Sequence, residues 1–135
     1  MNQHTTQPCP CGRTDARNRP LIFATCCGRW LRDGAPAPDA ESLMRSRYSA
    51  YVLGDEDYLL TTWHASTRPP EVKPESDTKW LGLDVRAHKF IDADHAEVEF
   101  VARYRVGGGK AVRLQEKSRF VREEGRWYYV DGDVA

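Results

Sequence analysis

Four cysteines, the only ones in the chain, stand in two tight pairs, Cys9-Pro10-Cys11 and Cys26-Cys27. Brought together by a loop, two such pairs can aim four thiolates at one point. That is the tetrahedral set a structural zinc ion takes, with no position left open for a substrate. Disulfide bonding is a weak competitor, because adjacent cysteines bridge each other only with strain and cross-bridging would crowd two bonds into one knot. A redox role would call for Cys-x-x-Cys at a helix start, which is absent. After Met1 the chain runs Asn2-Gln3-His4-Thr5-Thr6, without the charged and apolar stretches of an export signal. The expectation is a cytoplasmic chain with reduced thiols, where clustered cysteines serve metal or redox roles. The spacing ranks zinc first and leaves redox and free-thiol readings behind it.

The surrounding charge fits a metal. One zinc with four thiolates carries a net charge of about minus two and needs donors and cations nearby. Arg13, Arg17, Arg19, Arg29 and Arg32 lie in this segment against Asp15 and Asp33. These arginines also read as a solvated patch open to a protein or an RNA. Gly12 and Gly28 each follow a cysteine, where the lack of a Cβ eases the turn. Leu21, Ile22 and Phe23 are the only apolar run available to cover the metal.

The whole chain is balanced, with 20 Lys and Arg against 20 Asp and Glu in 135 residues. Bulk electrostatics therefore demand neither nucleic acid nor an acidic membrane. No apolar run approaches the roughly 20 residues that span a bilayer. The length allows one domain and a small appendage. The expected division is a zinc knuckle over 1–34 and an α+β domain over 35–135.

Elements that would position a site follow from the patterning. Asp33-Gly34-Ala35-Pro36-Ala37-Pro38 has linker composition. Asp39 then caps a helix over Ala40 to Leu53, stopped by Gly54. Ala40, Leu43, Met44, Tyr48 and Tyr51 fall on one apolar arc of it. Asp55 caps a shorter helix reaching Trp63 or His64, with Leu59, Leu60 and Trp63 inside. Pro69, Pro70 and Pro74 belong to a long loop ending near Lys79. Beyond it the period changes to two. Leu81, Leu83, Val85 and Ala87 mark one strand, and Ala96, Val98, Phe100, Ala102, Tyr104 and Val106 the next. Gly107-Gly108-Gly109 signals a hairpin, a third strand runs from about Lys110 to Arg122, and Glu124-Gly125 turns into a fourth over Arg126 to Val130. Helices followed by a four-stranded meander make an α+β fold with helices on one face of a curved antiparallel sheet.

The run Cys-Pro-Cys-Gly followed by Cys-Cys-Gly resembles the short zinc motif at the C-terminus of the Sec preprotein translocase ATPase, the SEC-C motif. Ala35 to Pro38, Leu43-Met44-Arg45-Ser46-Arg47-Tyr48-Ser49-Ala50-Tyr51, Thr62-Trp63-His64 and Ser66-Thr67-Arg68-Pro69 resemble the bacterial YchJ-like family. Glu97 to Tyr104, Ser118-Arg119-Phe120 and Trp127 to Gly132 continue the likeness over nearly the whole chain. It implies a nuclear-transport-factor-like cone carrying an N-terminal zinc knuckle, with Cys9, Cys11, Cys26 and Cys27 as ligands. One departure is the interval between the cysteine pairs, here fourteen residues from Gly12 to Thr25 and longer than the family's pattern. Longer loops close at only slowly rising cost, so binding is expected to survive.

Within a cone of this kind an acid or base must lie deep between helices and sheet. Arg47 falls in the middle of the apolar arc, where a charge needs a partner. Its guanidinium is expected to meet a carboxylate such as Glu116 or Asp131, backbone carbonyls or cavity water, unless its stem reaches outward. His64 at a helix end reads first as a cap or surface residue. Trp80, Tyr104 and Trp127 read first as core or rim aromatics. Three classes of function remain. The leading one is a zinc-binding adaptor whose knuckle meets a protein, or less readily RNA, with no enzymatic activity required. The alternative is a small-molecule-binding or enzymatic cone using Arg47, His64 and Tyr104. A zinc carrier is disfavoured because four-thiolate coordination is closed. Ligand, partner and oligomeric state are not written in the chain.

Overall fold

The structure is a computed structural model that describes residues 6–73 and 77–135. Residues 1–5 and Pro74, which enter the expectations from sequence, lie outside the described residues. A 3-10 turn at Phe23–Thr25 and a short helix α1 at Gly28–Leu31 close the cysteine segment. Helices α2, Ala40–Leu53, and α3, Glu56–Thr61, come next. Strands β1, Thr78–Asp92, β2, His95–Val106, β3, Val112–Glu123, and β4, Arg126–Val134, form one antiparallel sheet in the order 1-2-3-4. This is the expected α+β cone.

Local chemistry sets the helix ends. The Asp39 carboxylate accepts from the Ser42 N–H at 2.7 Å, and Gly54 ends α2 in the left-handed region at φ 73°. Asp55 accepts from the Tyr58 N–H at 3.1 Å and starts α3. That helix stops at Thr61, short of the expected Trp63 or His64. There the backbone leaves to pair with β4. The Tyr129 N–H donates to the Thr62 carbonyl at 2.8 Å and the His64 N–H to the Tyr129 carbonyl at 2.7 Å.

The alternation read into β1 is broken by three register shifts, between Trp80 and Gly82, Val85 and Ala87, and Phe90 and Asp92. Each bulge bends the strand and reverses the facing of the residues beyond it. Trp80 therefore packs against Tyr48, ring centroids 5.6 Å apart, whereas Leu81 and Ala87 are exposed. Strand β4 runs past Val130, pairing Gly132 with Ser118 and Val134 with Glu116, and Arg119 on β3 holds the Asp131 and Asp133 carboxylates at 2.6 and 2.8 Å.

The core lies between α2 and the sheet, where Leu43, Met44 and Tyr48 meet Val98, Phe100, Phe120 and Trp127. Helix α2 is buried on a second side as well, through Ser42, Ser46 and Ser49. Small side chains there let the cysteine segment and α3 come close. Among the described residues no helix is long and apolar enough to cross a membrane.

Candidate metal centre and cavity

A short ribbon places the first cysteine pair. The Cys9 N–H donates to the Leu21 carbonyl and the Phe23 N–H to the Gln7 carbonyl, both at 2.8 Å. Residues 13–21 close as a hairpin, with the Arg17 and Arg19 N–H groups donating to the Asp15 carboxylate at 2.8 and 3.0 Å. The long interval between the pairs is thus folded structure rather than slack. Phe23 is fully buried as expected, while Ile22 faces outward. The 3-10 turn delivers Cys26, and Cys27 opens α1. A Cβ at Gly28 would come within 2.7 Å of the Phe23 carbonyl oxygen, so glycine there permits close packing rather than an unusual φ.

The four sulfurs all lie within 4.8 Å of one another, and Cys11 and Cys26 are 3.6 Å apart. Each cysteine is at most 5% exposed. A zinc ion holding four sulfurs at about 2.3 Å places them about 3.8 Å from one another, so the donor set fits. Hydrogen bonding among the crowded sulfurs lowers the Cys9 and Cys11 thiols, whereas contact with Cys11 raises Cys26 and Cys27. A bound divalent cation would favour the thiolate form of all four.

The cone supplies the surroundings. Ser49 Oγ lies 3.7 Å from Cys9 Sγ. Arg45 donates to the Cys11 carbonyl at 3.1 Å and to Glu41 at 2.8 Å. Burial pulls the Arg45 pKa down, but Glu41 and the cysteine charge outweigh it and hold the guanidinium ionised. Of the local arginines, Arg29 donates to the Cys26 carbonyl at 3.0 Å and Arg13 reaches Ser42 at 3.0 Å. Arg19 pairs with Asp15, and Arg32 lies 3.5 Å from Asp55. Sequence reasoning missed Glu41, Ser42, Arg45 and Ser49. Their signal was the repeat of small polar residues at 42, 46 and 49, on the side of α2 away from its apolar arc.

A cavity of about 270 Å³ opens between α2 and the sheet, with Arg47, Tyr51, Trp63, Trp80, Glu116 and Tyr129 in its walls. Arg47 is 6% exposed. Of the expected partners it takes a backbone carbonyl, not Glu116 or Asp131. Nη1 donates to the Leu59 carbonyl at 2.8 Å and to Thr62 Oγ1 at 2.7 Å, and Trp63 and Tyr129 cover the guanidinium at 5.1 and 4.6 Å. The early end of α3 explains this, because the Trp63 N–H turns to the Leu60 carbonyl and leaves that of Leu59 to Arg47. Asp131 is held by Arg119 instead. Burial lowers the Arg47 pKa, and pushes the hydroxyls of Tyr48 and Tyr58 up to about 12, so both stay protonated.

His64 and Tyr104 do not join Arg47 in the cavity wall. His64 contacts Ser66 at 2.7 Å and Glu123 at 2.8 Å. Tyr104 packs on Trp80, ring centroids 5.4 Å apart. Trp127 is a core ring, and Trp80 belongs to the cavity. His88, on β1, has its Nδ1 3.9 Å from Glu41, and its buried Nε2 finds no hydrogen-bond partner among the described residues.

Residues 39–132 match the model of the YchJ middle NTF2-like domain. A UPF0225 protein of a Polaromonas species is 65% identical over 128 residues, covering 93% of this chain and 92% of the relative. The UPF0225 protein of Bordetella bronchiseptica is 56% identical, with 99% of each chain covered. Among solved structures, a SEC-C motif containing protein from Rhodopseudomonas palustris superposes with a TM-score of 0.81 at 32% identity, covering 96% of this chain and 99% of that one. A second such protein, from Psychrobacter arcticus, gives 0.80 at 31% identity, covering 98% and 85%. The chain belongs to the YchJ-like, UPF0225 family.

Proposed function

We propose that this member of the YchJ-like family is a zinc-stapled adaptor of the cytoplasm, in which Cys9, Cys11, Cys26 and Cys27 hold one structural zinc ion. The observation that carries the reading is the buried set of four sulfurs within 4.8 Å of one another. The likeness to SEC-C motif proteins supports it. A filled tetrathiolate leaves the metal no position for a substrate, so its role is to hold shape. The shape it would hold includes the 13–21 hairpin, which carries exposed Arg17 and Arg19, and α1, which carries exposed Arg29. Such a surface suits an acidic protein face.

Two measurements test this. Elemental analysis of protein purified without added metal should find about one zinc per chain, and single Cys→Ser changes should weaken retention. Full retention in all four single variants would remove the metal site. A photo-crosslinker at Thr14 in bacterial extract should then give discrete protein adducts that vanish on chelation or in an Arg17→Ala, Arg19→Ala, Arg29→Ala triple variant. RNA adducts in their place, or none, would defeat the protein-adaptor reading.

A further inference from the structure

Arg47 is a buried cation whose hydrogen bonds are only half committed. Both of its contacts to the described residues use Nη1. Trp63 and Tyr129, whose ring centroids are 5.1 Å apart, lie together against one side of it. What remains is the edge formed by Nε and Nη2, the edge that grips a carboxylate with two parallel hydrogen bonds. Arg47 is among the residues that line the cavity.

Glu116 enters the same cavity from β3. Its Oε2 accepts from the Ser118 hydroxyl at 2.6 Å and from the Tyr129 hydroxyl at 3.5 Å. Oε1 has no hydrogen-bond partner among the described residues, and no ion pair joins Glu116 to Arg47. A Cβ on Gly132 would overlap the Glu116 carboxylate, so glycine on β4 is what lets this side chain lie where it does. The cavity therefore holds a cation and an anion that do not neutralise each other by contact.

The walls between these charges are rings. Seven of the thirteen lining residues are aromatic: Tyr48, Tyr51, Trp63, Trp80, Phe100, Phe120 and Tyr129. A space of about 270 Å³ has room for a single-ring molecule.

We propose that the cavity binds a small single-ring aromatic carboxylate bearing a hydrogen-bond donor on the ring. The carboxylate lies on the Nε and Nη2 edge of Arg47, the ring among the aromatic walls, and the donor on Glu116. Arg47 and Glu116 thus set specificity, while His64 and Tyr104 take no part. The proposal does not depend on the zinc reading, because none of its residues is a cysteine.

The test uses the full chain as purified, titrated with 4-hydroxybenzoate and followed by amide shifts in a nitrogen-15 correlation spectrum. Saturable shifts are expected around Phe100, Ala102, Ser118 and Tyr129. Phenol, lacking the carboxylate, should bind at least about tenfold more weakly, and cyclohexanecarboxylate should also be weaker. These comparisons read the wild type, so they do not depend on a variant folding. Arg47→Lys keeps the charge without the fork and should weaken binding at least about tenfold. Glu116→Gln should narrow the preference for 4-hydroxybenzoate over benzoate. Ala102→Phe, which fills the space, should abolish the shifts. Absence of saturation at millimolar probe would overturn the proposal. So would equal binding of phenol, or undiminished binding to Arg47→Lys.

Discussion

The Cys9 sulfur and the Ser49 hydroxyl oxygen lie 3.7 Å apart across forty positions of sequence. Both residues are buried, and they join the cysteine segment to the middle of α2. When Cys9 is a thiolate, the hydroxyl donates to it and disperses part of its charge. Partners of this kind orient metal ligands and raise their affinity. Ser49→Ala should lower zinc affinity about tenfold in competition with a chromophoric chelator, with Cys9 still a ligand. Unchanged affinity would make the contact simple packing.

Much of this arrangement is legible in the sequence because its causes are local. Asp39 and Gly54 bound α2 where their cap chemistry demands, and the cysteine pairs converge because their spacing leaves few other uses. What escapes a sequence reading depends on tertiary contact. The three bulges of β1 leave no mark on the hydrophobic alternation, so the pattern places Leu81 inside when Trp80 is. The end of α3 is set by pairing with β4, a contact far away in sequence. That one event gives Arg47 the Leu59 carbonyl rather than a carboxylate. The serines at 42, 46 and 49 look like the solvated side of a helix, because nothing local says that a cysteine ribbon covers them.

Metal removal should act unevenly. Apart from Phe23 and the cysteines, the residues before Asp33 bury few side chains, so this segment draws its order from the metal. Hydrogen exchange after chelation should quicken through residues 7–33. The first turns of α2 should loosen next, since Arg45 loses the Cys11 carbonyl and Arg13 its hold on Ser42. Amides in the middle of β2 and β3 should keep their protection. Loss throughout the chain in one cooperative step would show that cysteine segment and cone fold as a unit.

His88 offers a stabilising change. Its buried Nε2 has no partner among the described residues, while its ring packs on Phe90, centroids 4.5 Å apart. An orphaned buried polar atom costs about 1–3 kcal/mol, and an apolar group of similar shape removes that cost. His88→Phe gives up only a long contact of 3.9 Å with Glu41, which keeps Arg13 and Arg45. The variant should melt higher, by about 1 kcal/mol of added stability. A lower melting temperature would mean that Nε2 is satisfied by water or serves a purpose.

Arg47 separates architecture from packing. Its guanidinium bonds to the Leu59 carbonyl and Thr62 hydroxyl. The Thr62 hydroxyl donates its one hydrogen to the Tyr58 carbonyl at 2.6 Å, so the Leu59 carbonyl, 3.4 Å from that hydroxyl, relies on Arg47. Arg47→Met strands that carbonyl but keeps a long apolar stem beside Trp63 and Tyr129 and removes a desolvated charge. Its net cost in a thermal melt should be about 1 kcal/mol. Arg47→Ala empties the space beside those rings and should cost about 2–4 kcal/mol, the range of large-to-small core changes. Equal, large losses in both variants would show that the charge itself holds α2 to α3. A much larger loss in Ala assigns stability to the stem and leaves the charged edge of Arg47 free for a ligand.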